Sequence, residues 1–248
     1  MKTMLAMGTC LQHYGDHQIY RWLEHHAPHL KPWGVTKIGI SNDGPTKIAT
    51  DWITEAFRPE SMASPAPVMM HKWHERLGIK DQWTYPGNWR NLSTIMRMAK
   101  LCEFERVIYT EWDFFIYSQR MVYRIAAMNE GIHTFWCPHY TFAEAAFMCI
   151  HKDHFSVVES VANHMMGVEK VTDIHQTMEH AIPWTRVHQD FVGDRYPDFD
   201  GELPPNVDFC AQLNFNKGIA KMLKKMMSSP NQAELDGLEK AIAFKPED

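Results

Sequence analysis

RVIYTEWDFFI, Arg106 to Ile116, decides how this chain is read. Val107, Ile108 and Tyr109 have the β-branched and aromatic character of a buried strand, and the run ends abruptly in two carboxylates one residue apart. Side chains alternate along an extended backbone, so Glu111 and Asp113 are expected on one side of the strand's end. Two close carboxylates repel unless a proton or a cation joins them. A hard divalent cation with oxygen ligands, Mg²⁺ or Mn²⁺, is the natural partner, especially one shared with a phosphate-bearing substrate. The competing reading is a strand that emerges into solvent and ends in ordinary surface charges.

Outward from this strand the pattern alternates strand and helix, which predicts an α/β fold with a mixed, mostly parallel sheet flanked by helices. Met4–Thr9 and Val35–Ile40 read as strands, and Asp16–His26 as a helix with Ile19, Trp22 and Leu23 on its apolar face. The second strand ends in Ser41-Asn42-Asp43-Gly44-Pro45, a strong turn signal. A short helix is expected over Asp51–Phe57, a loop over Arg58–Pro67, a helix over His71–Leu77 and a loop over Gln82–Asn88. Leu92, Ile95, Met96 and Ala99 give Asn91–Cys102 helical spacing. Past the central strand, helices are expected at Met121–Met128, His154–Met166 and Ile174–His180, and strands at His133–Cys137 and Ala145–Ile150. Phe191–Phe209, with Pro197, Pro204 and Pro205, reads as loop, and Ile219–Met227 and Gln232–Phe244 as helices. The division expected is one domain over 1–215 with a helical tail over 216–248.

The 248 residues suffice for a substantial core, and 45% hydrophobic with 22% charged residues is a globular composition. A formal charge of −5 argues against a dedicated nucleic-acid binder. No apolar run reaches the roughly 18 residues of a membrane span, so a soluble, cytoplasmic protein is expected. The five cysteines are odd in number and scattered, and read as reduced core residues.

Ligands of open α/β sheets collect at the carboxyl ends of strands, where Thr9, Asn42, Asp43, Glu111 and Asp113 fall. In this arrangement the chain resembles the GT-A class of nucleotide-sugar glycosyltransferases, with Asp43 after the second strand and Glu111-Trp112-Asp113 in place of the D-x-D. The segment GNWRNLSTIMRMAKLCEFERVIYTEWD, Gly87 to Asp113, looks like that family's R-N-x-x helix followed by a strand and its acids. The resemblance implies a GT-A-like catalytic domain, a divalent Mn²⁺ or Mg²⁺ on Glu111 and Asp113, and a nucleoside-diphosphate sugar as donor. The acceptor stays open among glycan, protein and modified nucleic acid. Thr9, Asn42, Asp43, Arg90, Asn91 and Trp112 become candidate nucleotide contacts; a guanidinium neutralises phosphate and an amide reads a base or ribose edge. Glu144, in FAEAAFMCIHKDHF, would lie near the sugar or acceptor. Asp173 and Glu179 compete as general base of an inverting reaction, with Glu179 preferred for the Ala181-Ile182-Pro183-Trp184 segment behind it. His188 would supply a late metal ligand.

Two rivals come from other chemistry. His71 and His74, and His151 and His154, have the i,i+3 spacing that chelates Zn²⁺ on a helix, but no H-E-x-x-H or paired C-x-x-C accompanies them. A zinc hydrolase is the weaker rival. A non-enzymatic carbohydrate-binding module is the stronger, because Trp73, Trp83, Trp89, Trp112, Trp136 and Trp184 offer faces on which sugar rings stack.

Overall fold

Arg106–Thr110 is a fully buried strand in a computed structural model of the chain, which describes residues 1–9, 19, 22, 23, 25–44, 68–80, 84–173, 177–195 and 206–212. In chain order the strands are β1 (Thr3–Thr9), β2 (Val35–Asn42), β3 (Val68–Lys72), β4 (Arg106–Thr110), β5 (Phe115–Ile116), β6 (Ile132–Cys137), β7 (Phe142–Ala143), β8 (Phe147–His151), β9 (Arg186–His188), β10 (Gly193–Arg195) and β11 (Phe209–Ala211). The helices are α1 (Pro86–Leu101), α2 (Gln119–Ala126), α3 (Phe155–Met166) and α4 (Met178–Ala181). Ile19, Trp22, Leu23, His25 and His26 are also helical.

An eight-stranded sheet runs β3-β2-β1-β4-β8-β6-β7, with β9 paired to β6. β3, β2, β1 and β4 are mutually parallel, and β6 and β9 run the same way; only β8 and β7 oppose them. The expected fold class, a mixed and mostly parallel sheet flanked by helices, is therefore borne out. A smaller sheet, β10-β11-β5, stands beside it.

The alternation of side chains sorts the core into two layers. Leu5, Met7, Ile108, Phe147 and Cys149 face one way, onto Trp22, Trp33 and the α2 residues Met121, Val122 and Ile125. Met4, Ala6, Val107, Tyr109, Met148 and Ile150 face the other, onto Trp89, Leu92, Ile95 and Met96 of α1 and Phe155, Val158 and Ala162 of α3. Each large side chain buried this way contributes about 1.5–3 kcal/mol. Arg106 anchors the start of β4. Its guanidinium donates to the carbonyls of Ile125, Ala126 and Met128 at 3.1–3.2 Å and to that of Trp33, closing the C-terminal end of α2 with a cation.

Four sequence expectations are corrected. His71 belongs to a strand and not a helix, because Val68–Lys72 pairs with Ile38–Asn42 along the edge of the sheet. α1 begins at Pro86, inside the expected loop, since proline suits the first helical turn, where its missing N–H has no partner to lose. β8 starts at Phe147, after a turn at Ala145-Ala146. The segment read as loop from Phe191 contains β10 and ends in β11, whose three-residue strands are too short to show a period. The expectations for Asp51–Phe57, Arg58–Pro67, the two C-terminal helices and the 216–248 tail lie outside the described residues. Cys102, Cys137, Cys149 and Cys210 are free thiols, and no described helix is long and apolar enough to cross a membrane.

Candidate active site

β4 ends at Thr110, whose hydroxyl accepts from the Trp22 indole N–H at 2.6 Å. The Glu111 N–H then donates to the Ala146 carbonyl at 2.8 Å, and the chain turns through Trp112 and Asp113 with the Phe114 N–H returning to the Glu111 carbonyl at 3.3 Å. The two acids thus sit on a turn and not on an extended strand, which corrects the reason for expecting them together. They share an environment all the same. Burial, then the Asp113 charge, pushes the Glu111 carboxyl up to about 8, with Arg195 opposing and Glu144 and Glu179 adding. Burial pushes Asp113 up to about 7, again with Glu144 raising it and Arg195 lowering it. Asp113 is 9% exposed, and its Oδ1 has no hydrogen-bond partner.

A buried carboxylate oxygen without a donor fits a cation or a proton. Two carboxylates completed by substrate phosphates suit Mg²⁺ or Mn²⁺, which keep waters and take few protein ligands. Glu111 and Asp113 meet that requirement.

Arg195, at the end of β10, gathers the other acids. Its Nε donates to Glu144 Oε2 and its Nη2 to Glu144 Oε1, each at 2.8 Å, and Nη2 reaches Glu179 Oε1 at 2.5 Å. Glu144 is 0% exposed; it also accepts from the Ala146 N–H at 2.7 Å and the Cys137 thiol at 3.1 Å. It is a buried anchor. Burial alone would lower the guanidinium's pKa, but Glu144 and Glu179 hold it above its usual value. Among the described residues, four acids thus share one guanidinium, and Glu111 and Asp113 respond by holding their protons.

The cluster opens into a cleft of about 660 Å³, part of it open solvent space. Glu111, Glu179 and Arg195 line it, together with Tyr85 and Trp89 at the start of α1 and Phe142 from β7. The Phe142 ring lies 4.6 Å beneath the Arg195 guanidinium. Thr141 (φ 56°), beside Phe142, and Gln212 (φ 52°), in the lining itself, are non-glycine residues in the left-handed region. Such backbone is held in place by its surroundings and concentrates at functional sites.

The expected nucleotide contacts have other engagements. Asn91 is fully buried; its amide N–H donates to the Thr9 carbonyl and its oxygen accepts from the Ser41 hydroxyl, each at 2.8 Å. It ties the ends of β1 and β2 together. Asp43 pairs with Arg90 and accepts from the N–H groups of Leu77 and Gly78 at 3.2 and 2.7 Å. Arg90 also reaches the Glu75 carbonyl and lies 4.6 Å from the Trp73 ring. Thr9 is buried with its hydroxyl oxygen unpartnered, the Asn42 amide donates to the Gly44 carbonyl at 2.8 Å, and Trp112 packs half-buried on the core.

Of the two candidate bases, Glu179 lies in the cleft wall, while Asp173 is exposed and outside its lining. His188, the expected late metal ligand, packs against another histidine. β9 runs beside β6, which stacks its ring on His133 with Nε2 to Nδ1 at 3.1 Å, next to Phe135. Among the described residues, no three His, Cys, Asp or Glu side chains converge as a protein-only metal site requires. The zinc reading also loses its helical pairs, since His71 lies in β3 and His151 ends β8. The sequence does not mark Arg195, Tyr85 or Gln212; Asp194-Arg195 carries no motif, and the pairing of β10 with β11, with Asp194 accepting from the His139 N–H at 2.6 Å, brings it to the cleft.

No protein-family model matches this chain, and no curated protein matches it. Among solved structures, it is similar to the crystal structure of a glycosyltransferase involved in the glycosylation of the major capsid of PBCV-1. The TM-score is 0.49 at 11% identity, over 95% of this chain and 98% of that one. The likeness is one of chain path, and the site is read from its own chemistry.

Proposed function

We propose that the chain is a GT-A-like glycosyltransferase that moves a sugar from a nucleoside-diphosphate donor to an acceptor hydroxyl, with Mn²⁺ or Mg²⁺. One observation carries the reading: Glu111 lines an aromatic-walled cleft with Arg195 and Glu179 at the end of β4, and Asp113, two residues on and within the electrostatic field of Glu111, keeps a buried carboxylate oxygen without a partner. The bound cation would be held by Asp113 and Glu111 and would neutralise charge on the departing nucleoside diphosphate. Glu179 is the base of an inverting transfer, taking the proton of the acceptor hydroxyl. Tyr85, partly exposed in the cleft wall, is the ring that offers a face to sugar or base. Asp43, Arg90 and Asn91 act by fixing the strand ends and the first turn of α1 that border this cleft.

A panel of nucleotide sugars titrated by calorimetry, with and without Mn²⁺, tests the proposal. Metal-dependent binding of one donor, lost in Asp113→Asn, is expected. Sugar binding without any nucleotide or metal requirement would favour the carbohydrate-binding module instead.

A further inference from the structure

Arg195 makes two contacts of different kinds. Toward Glu144 it presents a two-pronged fork, 2.8 Å on each side, to a carboxylate that is fully buried and bonded again by the Ala146 N–H and the Cys137 thiol. A bidentate pair closed off from water stays together, because separating it strands a buried charge. Toward Glu179 it presents one N–H, from the nitrogen already shared with Glu144, and that contact lies on the wall of the cleft. The Phe142 face beneath the guanidinium fixes its plane. An anion entering the cleft therefore meets a guanidinium edge held rigidly from behind and covered in front by one side chain of the short helix α4.

We propose that Glu179 is a resident substitute for the anionic part of the substrate: a diphosphate takes its place on Arg195 and releases the carboxylate into the cleft. The identity of that anion rests on the glycosyltransferase reading; the exchange itself does not. Glu144 keeps the guanidinium in place throughout, and one anion replaces another on its exposed edge. The device imposes an order, because Glu179 is held by Arg195 until the donor is seated and becomes available to an acceptor hydroxyl only then.

The test is calorimetric titration of the full chain with inorganic pyrophosphate in EDTA, thermal unfolding confirming that each variant is folded. Charge-assisted hydrogen bonds set the scale: Glu179→Gln is expected to tighten pyrophosphate about five- to tenfold by removing its competitor. Arg195→Gln leaves Glu144 buried without its partner, so the Glu144→Gln/Arg195→Gln pair, which removes both buried charges, is measured beside it; both should weaken binding by about tenfold or more. Glu111→Gln removes a cleft acid not bonded to Arg195 and should tighten binding less than Glu179→Gln. Unchanged or weaker binding in Glu179→Gln, equal tightening in the two glutamine variants, or full affinity in the double variant overturns the exchange. Since the probe carries neither sugar nor nucleoside, a negative donor panel would sink the transferase reading and leave this result standing.

Discussion

Asp113 keeps one oxygen without a partner, and Glu111 sits in the same field, so both acids hold their protons more tightly in the folded chain than in the unfolded one. Between their ordinary values of 4.5 and 3.8 and their folded values of about 8 and 7, the native state binds more protons. Their contribution to stability therefore falls as pH rises through that window, while six histidines among the described residues, held below their ordinary 6.5, oppose it in the lower part. In EDTA, the midpoint of thermal unfolding should decline from about pH 6.5 to 8, and Asp113→Asn should flatten that decline while abolishing Mn²⁺-dependent donor binding. A pH-independent midpoint in the wild type would show that the carboxylates are already compensated. Glu179 calls for a kinetic measurement. Loss of a general base costs about 10²–10⁴ in rate, so Glu179→Gln should lower turnover by such a factor without weakening donor binding, and Asp173→Asn should change it little. A large effect at Asp173 alone would place the acceptor elsewhere.

At the scale of elements, the site depends on how α1 is seated. A Cβ on Gly87 would collide with the Asp43 carboxylate and press within 3.0 Å of the Gly78 backbone nitrogen. Gly87→Ala should therefore displace the Asp43–Arg90 pair and shift Tyr85 and Trp89 at the cleft. Overpacking of this kind costs about 1–3 kcal/mol; a lower unfolding midpoint together with weaker donor binding checks it, and an unperturbed variant would mean that this helix start yields freely. The same elements mark what the sequence could convey. β1, β2, β4 and α1 were legible because long apolar runs and helical spacing follow from burial on two faces of one sheet. The E-x-D was legible because it interrupts such a run. β3 was misread because the strand pairing that decides it is non-local, His71 facing Ser41 across the sheet edge. Arg195 could not be found at all: its place depends on β10 pairing β11, and β11 pairing β5, contacts between segments far apart in sequence. Asn91 was legible as important but not in its hydrogen bonds to Thr9 and Ser41, since a buried amide between strand ends and an amide awaiting a base have the same sequence signature.

For the molecule as a whole, the proposed function makes metal and donor partners in one binding event. The protein offers the cation two carboxylates, both raised in pKa, and among the described residues no third protein ligand joins them. The cation alone is then poorly held, and the diphosphate alone meets a cleft rich in acids with Arg195 the cationic side chain among its described lining residues. Together, the diphosphate completes the cation's oxygen shell and the cation screens the carboxylates from the diphosphate. Ligand that binds only the folded state stabilises it by about 2.7 kcal/mol at a hundredfold excess over Kd, which for a chain of this size corresponds to roughly 5–10 °C in Tm. Mn²⁺ with the cognate nucleotide sugar should raise Tm by that amount at pH 8, whereas each alone should raise it by much less. The gain should shrink at pH 6, where both acids hold protons that the cation must displace. Additive shifts from metal and donor, or a larger gain at pH 6 than at pH 8, would show that Glu111 and Asp113 do not bind the cation and that the two ligands occupy separate sites.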